Sequence, residues 1–566
     1  MNFSRSTILL ILIIILGFCV RLWQIGSVPP SPNWDEVALG YNAYSILHTG
    51  RDEYGKFFPA VLRSYDDYKP AAYAYFIIPF IVFLGLNPIS VRLPAVVVGT
   101  LAIVGVYFLV KEVFDRSSLE LGKKSFSAEI PALLATFLLA ISPWHIQFSR
   151  IAFESGVGVA FNIFALLFLL VGLRKPAVLL LSAFCFGLTP SIYQSDKVFT
   201  PLLFLVVVFV YRKSIFKVPK RYLFLAAAIG IMTIFPAAWF QLTDTQALSR
   251  AQGVSIFADQ TAFLKDTSNR LLYDRERGDV LGLIFDNRRV AFIKAAIAGY
   301  LSHFDLNWLF IHGDLPRHHA PFMGLLYLWE LPFLLIGIYT ILFGKYDKRV
   351  KTLLILWFLI APLPASITSG VPHAVRTLNF LPTFQVFVAF GILSTFAFLL
   401  HIFRSHPRYK VFLIIMSSCY GVLILWNTIF YLNEYFVQQN YYTSVDWQYG
   451  YKEAVESVKK IEGKYGKIIV SNQPPLDQSY MFFLFYLKYP PKDYQEENLT
   501  NLSGGFRENH AFSKYEFRPI DWTNEAKDRS ILYVGRSNDF PEGVNVLEKV
   551  YYLNGDPAIA IVPGII

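Results

Sequence analysis

Residues 6–25 read STILLILIIILGFCVRLWQI, and this stretch decides the kind of fold that the sequence encodes. A membrane-spanning helix needs about 20 mostly apolar residues. The apolar core here is too long for a cleaved signal peptide, and no A-x-A cleavage site follows it. Together with the single preceding cation, Arg5, it predicts an uncleaved membrane anchor with a cytoplasmic N-terminus.

The composition of the whole chain agrees with a membrane protein. Of the 566 residues, 54% are hydrophobic and only 16% are charged, whereas a soluble chain carries about a quarter charged residues. This excludes a soluble enzyme and a disordered or fibrous chain. The net charge of +10 does not indicate nucleic-acid binding, because the Lys and Arg residues lie between apolar stretches, where they orient helices in a membrane.

Ten further apolar stretches predict eleven membrane-spanning helices in total. Lys and Arg are concentrated in alternate loops, and the positive-inside rule places those loops in the cytoplasm. We expect residues 71–86, although apolar, to form a partly buried interfacial or re-entrant segment on the outer side, because counting them as a span would invert every later loop. The ten stretches are residues 88–110, 130–147, 157–173, 177–193, 198–211, 222–242, 322–343, 352–368, 378–403 and 411–433.

Three long segments then lie outside the cytoplasm: residues 26–87, 243–321 and 434–566. The last contains a helical stretch at residues 451–465 followed by short β-like runs. The predicted fold is therefore an α-helical polytopic membrane protein with a small extracytoplasmic C-terminal α/β domain. We place the transmembrane domain at residues 1–433 and the α/β domain at residues 434–566.

Charged residues collect at the outer ends of the predicted spans, where ionisable groups are candidates for function. A carboxylate can act as a general base towards a hydroxyl, and Lys and Arg can hold a phosphate. A sugar carried on a lipid phosphate fits this mixture, because its leaving group is already anionic and needs no proton donor. The candidates are Asp35, Glu36, Lys69, Arg150, Glu154, Lys197 and Arg376.

Each candidate also has a structural interpretation. Asp35 and Glu36 suit the positive end of the helix that follows them. Lys69 suits an interfacial anchor. Arg150 and Glu154, four residues apart, suit an ion pair on a helix. Sequence alone leaves these alternatives open.

A cluster in the second long outer segment contains His312, Asp314, His318 and His319. Its H-x-D-x3-H-H spacing matches no strong zinc motif. We therefore expect an ordinary surface loop there and no metal site.

Four motifs, taken together in their order and spacing, resemble the GT-C superfamily of polyprenyl-phosphate-dependent glycosyltransferases. They are Asp35-Glu36, Lys69-Pro70 before an aromatic-rich segment, Asn87-Pro-Ile-Ser-Val-Arg92-Leu93-Pro94, and Arg150 with Glu154 four residues later. The resemblance is best over roughly the first two hundred residues. Among the branches, the protein O-mannosyltransferases and the bacterial aminoarabinose lipid A transferases are the most similar.

The resemblance implies a polyprenyl-phosphate-linked sugar as donor and a protein, lipid or glycan as acceptor, with no cofactor. The first outer loop has no Asp-x-Asp motif of the kind found in metal-dependent oligosaccharyltransferases, so no divalent ion is implied. The resemblance also assigns roles to individual residues. It implies that Asp35, next to Glu36, is the catalytic base and that Glu154 is a second acidic group. It further implies that Lys69 and Arg376 are phosphate ligands, with Lys197 and Arg150 as weaker members of the same phosphate site.

A transporter or flippase of a phosphorylated or lipid-linked substrate is the alternative from another class. It predicts charges near mid-bilayer and broken helices in two related halves, whereas the charges here lie at helix ends. A polymerase or ligase of lipid-linked glycans shares the donor class, and sequence does not separate it from the first interpretation.

Overall fold

The structure is a computed structural model, which describes residues 4–65, 67–114, 120–121, 124–125, 127–243, 253, 255–256, 261–403, 408–498 and 509–564. Arg116, Lys123 and Arg404, which contributed to the predicted charge asymmetry, lie outside these ranges. So does Asp66.

Apolar helices occur in all eleven predicted spans. Within the described residues, eight helices are long and apolar enough to cross a membrane, and those at 129–141, 176–191 and 330–343 are shorter. The polytopic helical fold is thus confirmed, while eleven as the number of spans stays a prediction. The described helices are α1 Arg5–Leu22, α2 Trp34–Thr49, α3 Ala72–Leu84, α4 Pro88–Phe114, α5 Glu129–Ile141, α6 Pro143–Phe148, α7 Glu154–Gly172, α8 Leu179–Leu188, α9 Asp196–Ile215, α10 Lys220–Thr243, α11 Thr261–Arg277, α12 Val280–Phe285, α13 Arg288–Ser302, α14 Glu330–Phe343, α15 Lys348–Ile360, α16 Leu363–Ser366, α17 Thr383–Phe403, α18 Tyr409–Asn433, α19 Gln439–Thr443, α20 Tyr451–Ile461, α21 Ser479–Leu487 and α22 Pro491–Asn498.

Helix α3 occupies the apolar segment that we did not count as a span. Its 13 residues extend about 20 Å, less than the roughly 30 Å of a hydrocarbon core. One side packs on α2 and α4, while Val82 and Phe83 near its end are exposed. The exposed side chains agree with the predicted interfacial or re-entrant placement. The placement stays a prediction, because α5 is equally short and is counted as a span.

The C-terminal part of the chain contains a six-stranded mixed sheet in the order β6-β7-β5-β8-β10-β9. The central β5 is parallel to both of its neighbours, and the outer pairs are antiparallel. The small α/β domain is therefore confirmed, although β6 and β7, of three residues each, were not predicted. The strands are β1 Val61–Ser64, β2 Asp67–Pro70, β3 Glu120–Leu121, β4 Lys124–Ser125, β5 Lys467–Val470, β6 His510–Phe512, β7 Tyr515–Phe517, β8 Ile531–Gly535, β9 Glu548–Tyr551 and β10 Pro557–Pro563.

Helix α21 of this domain packs against α2, in the segment that follows the first span. The contact is close, because a Cβ added to Gly40 would lie 2.7 Å from the Phe485 ring. Nearby, the buried Glu53 carboxylate accepts a hydrogen bond from Asn42 at 3.0 Å, and burial raises the pKa of Glu53 to about 8. We call the side of the molecule that carries this domain and residues 23–70 the domain face. Helical structure continues from α18 to residue 443, so the predicted boundary at 433 falls inside a helical run.

Two glycines allow α14 (330–343) and α17 (383–403) to pack backbone against backbone. A Cβ added to Gly337 would lie 1.8 Å from the Phe387 carbonyl oxygen, and one added to Gly391 would lie 1.9 Å from the Phe333 carbonyl oxygen. Neither oxygen can move without displacing its helix, so this contact fixes the separation of the two helices.

We expect Gly337→Ala and Gly391→Ala each to destabilise the protein by about 1–3 kcal/mol, because the added methyl overpacks the contact. Thermal unfolding of the purified protein in detergent measures the effect. Gly421→Ala in α18 is the matched control, since nothing lies within 4 Å of its added Cβ, and it should leave the melting temperature unchanged or raise it. Equal melting temperatures for all three variants would contradict the close packing.

Candidate active site

The N-terminus of α2 places Asp35 at the domain face. Asn33 caps this helix by accepting hydrogen bonds from the backbone N–H groups of Asp35 at 2.8 Å and Glu36 at 3.0 Å. The Trp34 N–H donates to the Gln448 side chain of the C-terminal segment at 2.9 Å. The helix end is therefore held from both sides, and the Asp35 side chain keeps 30% of its surface exposed.

Glu36 lies on the opposite, fully buried side of the same turn. Its carboxylate accepts two hydrogen bonds from Arg92 of α4, at 2.8 and 3.0 Å, and one from the Ala152 backbone N–H at 3.0 Å. It also accepts from the Asn33 N–H, which completes a capping box. The side chains of Glu36 and Arg92 are both 0% exposed. This placement differs from the predicted catalytic position, because the Glu36 oxygens are occupied by structural donors.

Lys69 lies on β2 of the short hairpin β1–β2, opposite Leu62. Its ammonium group forms an ion pair with the Asp35 carboxylate, and its side chain is only 10% exposed. The Gln194 side-chain amide donates to the carbonyl oxygen of the preceding Tyr68, which ties the hairpin to the loop before α9. Two candidates that are 34 residues apart in sequence thus meet directly.

Glu154 begins α7, and its side chain is buried beside the ion pair. The carboxyl group interacts electrostatically with both Lys69 and Asp35. Tyr193, which precedes α9, interacts in turn with Glu154 and with Arg376. Glu154 thus lies near the Asp35–Lys69 pair, and Tyr193 lies near both Glu154 and Arg376.

Arg376 is positioned by its own loop. Its guanidinium donates to the Thr368 hydroxyl at 2.6 Å and to the Ser369 carbonyl oxygen at 2.7 Å. Burial lowers the pKa of Arg376, while Tyr193 and Asp314 act in the opposite direction. The side chain is thus a partly buried cation near Tyr193 and Asp314.

Arg317 is a member of this neighbourhood that the sequence analysis missed. Its guanidinium lies 4.6 Å from the centre of the Trp34 ring, next to Asp35. Burial lowers the pKa of Arg317, and Asp35 and Asp446 oppose that effect. In the sequence, Arg317 directly precedes His318 and His319. This cation could have been noticed as a candidate, but we interpreted the segment only as a surface loop.

Arg150 and Lys197 lie apart from the Asp35–Lys69 pair. Arg150 is fully buried and donates to the carbonyl oxygens of Val20, Arg21 and Val28 at 2.7–2.9 Å, where the first span ends. Lys197 instead donates to Gln241 of α10 at 3.2 Å. The Arg150 Nη1 and Nη2 atoms donate to backbone, and its role as a phosphate ligand stays a prediction.

The histidines that lie together in the structure are not the same set that lies together in the sequence. Asp314 and His318 form a hydrogen bond of 2.9 Å and lie beside His373 from a different loop, whereas His312 is exposed. Burial lowers the pKa of His318, although Asp314 opposes the effect.

Part of the sequence matches a known family. Residues 68–240 match the sequence model of the dolichyl-phosphate-mannose-protein mannosyltransferase family. The matched region includes Lys69, Glu154 and Lys197 and ends before Arg376. No curated protein matches the chain closely enough to count as a relative.

Two solved structures are similar over almost the whole chain. ArnT from Cupriavidus metallidurans, bound to undecaprenyl phosphate, has a TM-score of 0.51 at 13% identity over 99% of this chain and 98% of its own. The oligosaccharyltransferase AglB from Archaeoglobus fulgidus, in complex with an inhibitory peptide and a dolichol-phosphate, has a TM-score of 0.50 at 13% identity over 94% of this chain and 69% of its own. The predicted GT-C-like fold is confirmed by these likenesses.

We expect Glu36→Gln or Arg92→Met to destabilise the protein by about 3–5 kcal/mol, because each leaves a buried charge without its partner. The double variant should cost clearly less than the sum of the two. Thermal unfolding in detergent, analysed as a double-mutant cycle, gives the coupling. Glu456→Gln, which breaks the exposed Lys452–Glu456 pair, is the control and should change stability little. A Glu36 variant no less stable than this control would refute the buried-pair role.

Proposed function

We propose that the protein is an inverting membrane glycosyltransferase that moves a sugar from a polyprenyl-phosphate donor to an acceptor hydroxyl at the extracytoplasmic membrane face. The observation that carries the proposal is the contact between Asp35 and Lys69, with Glu154 buried beside them. This contact supports the proposal, because the proposed base, the proposed phosphate-binding cation and the proposed second acid would then act at one end of the helical bundle.

In the proposed reaction, the acceptor oxygen attacks the anomeric carbon from the face opposite the phosphate. The bond between that carbon and the phosphate oxygen breaks, and its electron pair leaves with the lipid phosphate. Asp35 takes the proton of the acceptor hydroxyl. The ion pair with Lys69 favours the ionised carboxylate that a base requires.

Lys69 and Arg376 are the proposed phosphate ligands, and we add Arg317 as a third cation. Lys69 supplies a compact point charge and the arginines supply forked donors. An incoming phosphate competes with Asp35 for the Lys69 ammonium. Donor binding therefore loosens the Asp35–Lys69 pair and releases the carboxylate towards the acceptor.

The remaining candidates receive supporting roles. We propose that Glu36 positions Asp35 through the capping box and the Arg92 pair. We also propose that Arg150 has a structural role, in which it donates hydrogen bonds to the carbonyl groups at the end of α1. Glu154 shapes the acceptor side of the site. Lys197, whose ammonium donates to the Gln241 side chain, contributes to the approach of the donor.

The donor and acceptor classes are tested with purified protein and a panel of radiolabelled polyprenyl-phosphate sugars. Label should move from one lipid donor into an acceptor fraction of protein, lipid or glycan, and the identity of that fraction distinguishes transfer to a single acceptor from glycan polymerisation. Uptake of substrate into sealed vesicles without any sugar transfer would instead support a transporter or flippase.

We expect Asp35→Asn to lower the transfer rate by about 100- to 10,000-fold, the usual contribution of a general base. Donor binding and thermal stability should be retained, because the amide keeps the shape of the side chain. Asp305→Asn, an exposed residue near the same face, serves as control and should transfer sugar normally. Normal turnover by the Asp35 variant would show that the assigned base is wrong.

We expect Lys69→Gln and Arg376→Gln each to weaken binding of a polyprenyl phosphate by about 10- to 150-fold, equivalent to a charged hydrogen bond of about 1.5–3 kcal/mol. Equilibrium binding of labelled lipid in detergent measures this. Arg289→Gln removes an exposed cation of α13 and should bind lipid as the unmodified protein does. Unchanged affinity in both site variants would remove these residues from the phosphate site.

A further inference from the structure

We propose that Asp314, His318 and His373 bind one divalent transition-metal ion, with zinc favoured by the ligand types, and that this ion joins two loops of the domain face. Asp314 and His318 belong to the segment between α13 (288–302) and α14 (330–343). His373 belongs to the loop between α16 (363–366) and α17 (383–403). The proposal concerns binding and does not depend on the proposed reaction.

The distances support a metal site. One ligand atom from each of the three side chains lies within 4.8 Å of the other two. Ligand atoms of a tetrahedral zinc ion lie about 3.4 Å apart, given bonds of about 2.0–2.2 Å. Asp314 and His318 already lie 2.9 Å apart through a hydrogen bond, so an ion would take the place of the proton between them. The widest separation would shorten by at most about 1.4 Å.

The chemistry of the three residues also suits zinc. Two imidazoles and one carboxylate form a common set of protein ligands for this ion and leave a fourth position for water. The Asp314 and His318 side chains are only 7% and 5% exposed. His318 also contacts the rings of Phe148 and Phe153, with centroid distances of 5.9 and 6.0 Å, so apolar groups shield one side of the site.

An unsatisfied atom independently points to a ligand. The His373 Nδ1 atom is buried and has no hydrogen-bond partner among the described residues. A buried polar atom without a partner costs free energy, and a metal ion accepts the lone pair that imidazole offers there. The His318 and His373 rings lie 5.2 Å apart between centroids, which directs both towards the same space.

The backbone around the three residues is already fixed. The His373 N–H donates to His303 Nε2 at 3.1 Å, and the Ala374 N–H donates to Asp314 Oδ2 at 2.6 Å. These bonds hold the two loops in register before any ion binds. An ion would add a second link between two loops that these hydrogen bonds already join.

The position of the cluster gives the ion a structural task. Arg376 follows His373 by three residues, and Arg317 directly precedes His318. A metal that fixes His318 and His373 therefore fixes the loops that carry both arginines, of which Arg317 lies near Asp35. The inferred role of the ion is to position these cations, with no part in the bond-breaking step.

The test uses full-length protein in detergent, stripped with chelator and titrated with Zn²⁺ or Co²⁺ alone. We expect one ion to bind per chain, to raise the melting temperature, and, for Co²⁺, to give the visible absorption bands of a low-coordinate site. Asp314→Asn, His318→Ala and His373→Gln should each weaken binding by at least about tenfold. His312→Ala changes an exposed histidine of the same segment and should bind like the unmodified protein.

Failure of the stripped protein to take up either ion would overturn the proposal. So would unchanged binding by the variants, of which His373→Gln is the mildest and covers the case in which His318→Ala does not fold. Because every readout is metal binding or melting temperature, these outcomes are separate from those of the sugar-transfer experiments.

Discussion

The buried pair of Glu36 and Arg92 is the interaction on which the candidate site depends. Both side chains are inaccessible, and Arg92 also donates to the carbonyl oxygens of Ile25, Pro29 and Ser31. In a membrane protein, irregular backbone is tolerated only where its polar groups find partners. This one guanidinium thus anchors the segment after the first span, and the helix that begins at Trp34 follows from it.

Buried arginines perform the same task elsewhere at this level of the bundle. Arg21 donates to the carbonyl oxygens of Gly17, Leu139 and Ala140, and Arg150 donates to the carbonyl groups at the end of α1. These cations satisfy backbone acceptors at helix ends, whereas Lys69 pairs with a carboxylate that is 30% exposed. The difference in partner distinguishes these arginines from Lys69, the proposed phosphate ligand.

Sequence patterns predicted the fold well because apolar length and the charge of alternate loops are strong signals in membrane proteins. They also predicted that Asp35, Lys69, Glu154 and Arg376 belong to one site. The structure brings Asp35 and Lys69 into contact, while the common site of all four stays a prediction. The different environments of Asp35 and Glu36 were not predictable from their sequence. They depend on the side of the helical turn on which Arg92 lies, and sequence does not give that. Arg317 and His373 were missed for a similar reason, since each gains its significance from a loop distant in sequence.

The tight contact between Gly40 and Phe485 has a mechanical consequence. The aromatic ring fills the space that a side chain at position 40 would need, so α2 and the C-terminal domain cannot slide over each other independently. Any macromolecule that tilts this domain on docking would therefore shift the Asp35 carboxylate with it. The C-terminal domain is thus attached to the helix that carries Asp35 at two points, the Gly40–Phe485 contact and the hydrogen bond from the Trp34 N–H to Gln448.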